Sequence, residues 1–186
     1  LQRNNPRSIH PIHGENLEEM KTLLTPALLT IIIVTGCDQN QDAFRAGDGS
    51  SKTSPPDPRA ETMWGHNLTK AQARAKAANK LVLIDFTGSD WCPPCMGLHD
   101  NVFTQKEFLD YAEKNLELVV IDFPKNKPLD ETRERANQVL SRTYKVTGFP
   151  TVIVLDGSGK ELHRSVGYGR QNAKAYTAKL QKALGR

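Results

Sequence analysis

The stretch Trp91-Cys92-Pro93-Pro94-Cys95 sets two cysteines two residues apart, and the rest of the chain is organised around it. Residues 81–86, directly upstream, form an apolar run with the length and composition of a buried strand. Residues 96–103, directly downstream, are predicted to form a helix. Cys92 is therefore expected where a strand meets a helix N-terminus, and unpaired backbone N–H groups favour a negative charge there. A thiolate at such a place can have a pKa of roughly 3.5–7.5, against about 8.5 for a free cysteine.

A Cys-x-x-Cys pair can serve redox chemistry, close a structural disulfide or supply half of a zinc site. For zinc, the remaining candidate ligands are Cys37 and His99, which do not make a second pair. Haem attachment requires a histidine directly after the second cysteine, and Met96 stands there instead. A purely structural bridge across so short a loop would stabilise the fold little. The residues therefore favour redox chemistry, and no metal is predicted.

The composition is that of a soluble globular domain with polar extensions. Hydrophobic residues make up 38% of the 186 residues and charged residues 25%, which is enough for one domain with its own core plus additional segments. The net charge of +4 is mild and dispersed along the chain. Nucleic acid is therefore not an expected partner.

Residues 1–36 are predicted to be a leader that ends in an export signal, with Met20 as the true translation start. A basic start after Met20, an apolar middle and small residues before Cys37 fit such a signal. The apolar run is shorter than the roughly 20 residues that span a bilayer. The ending Val34-Thr35-Gly36-Cys37 resembles the lipobox of bacterial lipoproteins, which implies lipidation of Cys37. An ordinary signal peptide with a chance cysteine is the alternative.

Residues 37–63, rich in Asp, Gly, Ser and Pro, are predicted to be a flexible tether, and residues 64–186 the folded domain. In that domain, a capping-box pattern at residues 104–107 predicts a helix start. A second predicted helix should bury Ala136, Val139, Leu140 and Tyr144 on one face. Strands that alternate with helices and then end in a hairpin indicate an α/β sheet, parallel in its first part. The predicted strands are 81–86, 116–123, 151–155 and 160–166, and the predicted helices include 68–80, 130–144 and 172–184.

The sequence resembles the thioredoxin superfamily. The resemblance rests on Asp85-Phe86 before the cysteine motif and on Gly148-Phe149-Pro150-Thr151 downstream of it. The sequence of residues 86–92 is most similar to that of bacterial exported thioredoxin-like proteins. It is also similar to the sequence of the periplasmic C-terminal domain of the thiol:disulfide interchange protein. The resemblance covers about residues 64–186 and implies a thioredoxin fold, with a central mixed sheet flanked by helices.

The resemblance implies roles for the two cysteines and for one acid. Cys92 would be the nucleophile that forms a mixed disulfide with a partner, and Cys95 would resolve it, so that Cys92–Cys95 is the redox disulfide. Asp85 resembles the buried acid that relays the proton of the second cysteine, and burial would raise the pKa of its carboxyl. It lies seven residues before Cys92, one more than in thioredoxin, and residues 116–123 lack the lysine that thioredoxin places near its acid. The alternative for Asp85 is a strand-end aspartate bonded to backbone.

The resemblance also implies a substrate-binding surface. Trp91 would shield the cysteines and offer an apolar contact, unless it is an ordinary core tryptophan. Pro150 matches a proline that is cis and faces the sulfurs, the alternative being a trans proline that opens a strand. Phe149, directly before it, would hold the backbone position that pairs with the substrate chain.

The sequence thus predicts a thiol–disulfide oxidoreductase of the thioredoxin type, lipid-anchored on the extracytoplasmic side of a bacterial membrane. It would reduce or isomerise protein disulfides without an added cofactor, and a membrane protein would supply its electrons. The alternative is a thioredoxin-fold binding module, a chaperone or copper-delivery protein in which Cys92 and Cys95 are ligands.

Overall fold

A mixed five-stranded sheet forms the centre of the part of the chain that the structure, a computed structural model, describes, namely residues 54–185. Three strands run parallel, β4 pairs antiparallel with β2, and β5 pairs antiparallel with β4. The predicted α/β thioredoxin fold, with a sheet that ends in a hairpin, is confirmed. The strands are β1 (Trp64–Gly65), β2 (Leu81–Thr87), β3 (Leu116–Asp122), β4 (Thr151–Leu155) and β5 (Glu161–Val166), in the order β1-β3-β2-β4-β5.

Helices connect these strands and cover both faces of the sheet. Three of them begin with an asparagine or aspartate side chain that accepts a hydrogen bond from an N–H in the first turn. Among residues 54–185, no helix combines the length and apolar character needed to cross a bilayer. The helices are α1 (Ala60–Met63), α2 (Leu68–Ala78), α3 (Pro93–Leu98), α4 (Lys106–Asn115), α5 (Glu131–Thr143) and α6 (Ala173–Leu184), and a π-helical turn, His99–Phe103, follows α3.

Strand alternation divides the core into two layers, one on each face of the sheet. In β2, Leu81 and Leu83 pack with side chains of α3, α4 and α6. Ile84 and Phe86 point the other way and pack with side chains of α2. Asp85 follows Leu83 by two residues, so its carboxyl lies on the face that α3 covers.

The capping box predicted at residues 104–107 is wrong. Helix α4 begins at Lys106, after Gln105, whose side chain makes no capping hydrogen bond. The Thr104 hydroxyl instead donates to the carbonyls of His99 and Asp100, each at 3.2 Å. The Thr104 hydroxyl is thus bonded to the preceding π-helical turn. For this reason it does not cap helix α4.

The apolar face predicted for α5 is wrong in part. Leu140 and Tyr144 pack against the core, but Ala136 is exposed and Val139 is 60% exposed. The buried residue of α5 is Asn137, whose side-chain amide donates to the carbonyl of Asp122 at 2.8 Å. A polar side chain can be buried in this way because the end of β3 offers it a hydrogen-bond partner.

Residues before 64 already contact the folded domain, so the boundary predicted between residues 63 and 64 falls too late in the chain. The Asp57 N–H donates to the Thr104 carbonyl at 2.8 Å. The Arg59 guanidinium pairs with Asp57, Asp110 and Glu113 at 2.7, 2.8 and 2.9 Å. We call residues 56–61 the N-terminal arm. The predicted leader, Cys37 and residues 37–53 of the tether lie outside the described residues.

Candidate active site

Cys92 and Cys95 are joined by a disulfide at the N-terminus of α3, with an S–S distance of 2.07 Å. Cys92 is the N-cap residue, and its carbonyl accepts from the N–H groups of Cys95 and Met96 at 3.0 Å. Pro93 and Pro94 fill the first turn, where a missing N–H removes no helical hydrogen bond. Cys92 is 4% exposed and Cys95 2%. Position at the helix end, more than exposure, therefore distinguishes the predicted nucleophile.

The loop that leads into Cys92 is held by the end of β3. Asp122 accepts two hydrogen bonds from Ser89, at 2.9 Å from its N–H and at 2.6 Å from its hydroxyl. Gly88 allows the loop to pass beneath Trp91, because a Cβ there would lie 2.5 Å from the indole ring. The Gly88 carbonyl accepts from the Cys92 N–H at 3.0 Å. The position of Cys92 therefore depends on β3 as well as on β2.

Trp91, the residue before Cys92, and Phe149, the residue before Pro150, form an apolar surface. The rings of Trp91 and Phe149 meet edge to face, with centroids 5.8 Å apart. The indole N–H of Trp91 donates to the Phe123 carbonyl at 2.7 Å, which fixes the ring. The Phe149–Pro150 peptide bond is cis, as the resemblance implied. Trp91 is only partly buried, so it is not an ordinary core tryptophan.

The loop after β3 is held against the Asp90–Trp91 segment by hydrogen bonds and by a cation–π contact. The Asp90 carboxylate accepts from the N–H groups of Lys125 and Asn126 at 2.9 and 2.6 Å. These backbone hydrogen bonds lower the pKa of Asp90, that from Lys125 most. The ammonium group of Lys125 lies 4.1 Å from the centre of the Trp91 ring, a cation–π contact. A cation is thus held beside the residue that precedes Cys92.

Asp85 is buried beneath α3, and the residue is only 5% exposed. Its Oδ1 makes no hydrogen bond to any described residue. Burial and, to a smaller extent, the negative charge of Asp122 together raise the pKa of Asp85 to about 8. A carboxyl with this pKa can hold or release a proton near neutral pH, which a proton relay requires.

A cavity of about 810 Å³ reaches both Asp85 and Cys95. The N-terminal arm forms one wall of this cavity, and Trp64 and Phe103 form part of another. The indole nitrogen of Trp64 is buried and has no hydrogen-bond partner among residues 54–185. The acid and the second cysteine thus lie on one cavity, on the same side of the sheet.

The structure joins Cys92 to Cys95, places Asp85 and Cys95 on one cavity and packs Trp91 against Phe149. That Pro150 faces the sulfurs stays a prediction, and Cys37 lies outside the described residues. His99 is exposed and contacts Asp100 at 2.9 Å. In residues 54–185 no cluster of three or more His, Cys, Asp or Glu side chains is placed to hold a metal ion. Sequence reasoning missed Asp122, although one signal was available. Asp122 lies near the end of the predicted strand 116–123, and the sheet was predicted to be parallel in its first part. The carboxyl ends of parallel strands lie at the same edge of a sheet, as those of β2 and β3 do.

The chain combines a Cys-x-x-Cys disulfide at a helix N-terminus, a buried acid on the same cavity as the second cysteine, and a cis-proline before a strand. This combination defines a thioredoxin-like site. The chain matches the Thioredoxin-like domain family over residues 68–184, and it belongs to that family. This confirms the family predicted from the sequence.

Individual relatives agree with this assignment. The disulfide bond reductase DsbH of Chlamydia pneumoniae is 34% identical over 140 residues, which cover 75% of this chain and 83% of that protein. The thioredoxin-related protein DsbJ of the same organism is 27% identical over 109 residues, covering 59% of this chain and 31% of that protein. A solved structure of a DsbH oxidoreductase has a TM-score of 0.61 at 30% identity, covering 75% of this chain and 95% of that one. The predicted class, a thioredoxin-like thiol–disulfide oxidoreductase, is confirmed.

Proposed function

We propose that this protein is a membrane-tethered oxidoreductase that reduces or isomerises disulfides of extracytoplasmic proteins. The observation that carries the proposal is the Cys92–Cys95 disulfide, set at a helix N-terminus and sharing a cavity with Asp85. The similar protein DsbH of Chlamydia pneumoniae is named a disulfide bond reductase, which supports reduction as the direction.

The reaction begins with the reduced protein. The Cys92 thiolate, favoured by the N-terminus of α3, attacks one sulfur of the partner's disulfide. The partner's S–S bond breaks as the bond from Cys92 forms. The released partner sulfur leaves as a thiolate and takes a proton from solvent.

The second step returns the partner in reduced form. Cys95 loses its proton to the Asp85 carboxylate, and its thiolate attacks the Cys92 sulfur. The mixed disulfide breaks, the partner leaves with both of its sulfurs reduced, and the Cys92–Cys95 disulfide remains. Two electrons have passed from the protein to its partner. A membrane electron donor must then return two electrons before the next cycle.

The proposed location rests on the sequence before residue 54. The export signal and lipobox-like ending predict that Cys37 carries the lipid. Two or more acyl chains anchor a protein stably, whereas one does not. The proline- and glycine-rich residues after Cys37 would then separate the redox domain from the bilayer.

Turnover of a protein disulfide tests the function. The protein, supplied with dithiothreitol, is expected to accelerate reduction of insulin, and Cys92→Ser is expected not to. Titration of the reduced protein with Cu(I) tests the competing binding role. Tight Cu(I) binding without acceleration of insulin reduction would favour a copper-delivery module and contradict the proposal.

A further inference from the structure

Two cations stand on either side of Cys92. Lys125 is exposed, and its ammonium group is held 4.1 Å from the centre of the ring of Trp91, the residue before Cys92. Arg170, also exposed, lines a hollow of about 370 Å³ together with Pro93 and Pro94, the residues after Cys92. One positive charge therefore lies at the residue before Cys92, and another shares a hollow with the two residues after it.

Both cations lie on loops that hydrogen bonds hold against the rest of the domain. The backbone on each side of the Lys125 side chain is fixed by Asp90, which binds the N–H groups of Lys125 and Asn126. Arg170 has a φ of 58°, a left-handed conformation that is uncommon outside glycine. Its loop begins with the Gly167 N–H, which donates to the Pro150 carbonyl at 2.8 Å. The backbone that carries each of the two charges is thus held in place by these hydrogen bonds.

Neither cation is neutralised by a carboxylate in the described part of the chain. Lys125 and Arg170 form no ion pair within residues 54–185. The acids closest to the Cys92 loop are already engaged, since Asp90 binds backbone N–H groups and Asp122 binds Ser89. The cations are therefore available to charges on a bound partner.

We propose that the site selects disulfides whose cysteine lies in an extended segment with acidic side chains on both sides. The apolar surface of Trp91 and Phe149 would lie beneath such a segment, and Lys125 and Arg170 would meet its carboxylates. This inference rests on the proposed function and names its substrate class. Complementary charge raises association rate and selects partners more than it raises affinity.

Two peptide disulfides that differ only in charge provide the test. Each is a symmetric dimer of a short peptide with one cysteine, flanked on both sides by glutamate in one peptide and by lysine in the other. Reduced protein is mixed with each dimer, and a single turnover is followed by tryptophan fluorescence. Rates of reduction by dithiothreitol alone correct for the intrinsic reactivity of each peptide.

The corrected rate constant is expected to favour the glutamate peptide about 5-fold to 10-fold at low salt, and the preference should shrink at high ionic strength. Lys125→Gln and Arg170→Gln should each reduce the preference about 2-fold to 3-fold, as expected for exposed charge pairs. Lys76→Gln is the matched control. It removes an exposed lysine of α2 that neighbours Gly157, in the turn after β4 at the far end of the sheet, and should leave the preference unchanged.

Two results would overturn the inference while leaving the proposed function intact. One is equal corrected rates for the two peptides. The other is an equal loss of rate on both peptides in Lys125→Gln and Arg170→Gln, because the cations would then act on the Cys92 thiolate and not on the partner. Failure to reduce either peptide, where dithiothreitol reduces both, would instead contradict the proposed function.

Discussion

The carboxylate of Asp122, at the end of β3, binds both the backbone N–H and the hydroxyl of Ser89, three residues before Cys92. The carbonyl of the same Asp122 accepts from the buried amide of Asn137 in α5. One residue thus joins the loop before the nucleophile to a strand and a helix. The negative charge of Asp122 also helps to raise the pKa of Asp85.

Asp122→Asn should loosen the active-site loop and make Asp85 more acidic. The amide cannot accept both Ser89 hydrogen bonds, so we expect a loss of about 1–3 kcal/mol in the free energy of unfolding. Removing the charge should lower the pKa of Asp85. Urea unfolding and NMR titration of the Asp85 carboxyl measure the two effects. Asp130→Asn is the control, because asparagine caps a helix as well as aspartate does. An unchanged Asp85 titration would contradict the electrostatic link.

Asp85→Asn should stabilise the protein at neutral and higher pH. The pKa of Asp85 is about 8 in the folded protein, against an ordinary value of 3.8 for an aspartate. The folded state therefore holds this proton more tightly, and the resulting stability is full below about pH 4 and lost as the pH rises to about 8. We expect a gain of roughly 2–5 kcal/mol at the upper end of this range, measured by urea unfolding against pH.

The same variant should also slow resolution of the mixed disulfide. Without the carboxylate, attack by Cys95 should be slower by about 10-fold or more. The lifetime of a mixed disulfide, followed by quenched mass spectrometry, reports this step. Glu107→Gln, an exposed change in α4, is the control for both measurements. A pH profile of stability identical to that of the wild type would show that Asp85 does not hold the proton.

Cys92 should be alkylated first when the reduced protein meets limiting iodoacetamide at neutral pH. Its place at the N-cap of α3 favours the thiolate, whereas Cys95 lies inside the first turn. Mass mapping identifies the modified sulfur. Cys92→Ser should abolish turnover, and Cys95→Ser should accumulate mixed disulfides with partners. Preferential alkylation of Cys95 would reverse the assigned roles.

The Cys92–Cys95 couple should have a reduction potential nearer that of thioredoxin, about −270 mV, than the oxidising end near about −120 mV. Two prolines separate the cysteines, so no cation in that gap stabilises the thiolate. Equilibration in glutathione redox buffers, followed by tryptophan fluorescence, gives the value. Pro94→His should raise the potential. A wild-type value at the oxidising end would make the protein a disulfide donor.

Cys37 should carry the membrane anchor. Native protein is expected in the membrane fraction. The Cys37→Ala variant is expected to be absent from the membrane fraction or to retain its export signal uncleaved. Cell fractionation with mass analysis of the mature N-terminus decides between these states. A mature wild-type protein that is free of membrane and begins at another residue would refute the anchor.

The fold could be predicted from the sequence largely because β2 and β3 are mainly apolar runs and the cysteine motif marks a helix between them. The motif also located Cys92, Cys95 and Asp85. What the sequence did not predict are polar side chains whose partners are distant in the chain. Asn137 is buried because the Asp122 carbonyl meets it, and Asp90 orders a loop 35 residues further on. Hydrophobic periodicity carries no information about such pairs, so α5 was assigned too many buried apolar residues.

The N-terminal arm lies outside the region that matches the family, residues 68–184, yet it walls the cavity that contains Asp85. Water reaches a buried carboxyl more easily when such a wall is removed, and its pKa then falls. Two relatives with the same cysteine motif and the same aspartate can therefore differ in the acidity of that aspartate. The difference would come from a short segment that comparison of the shared domains leaves out.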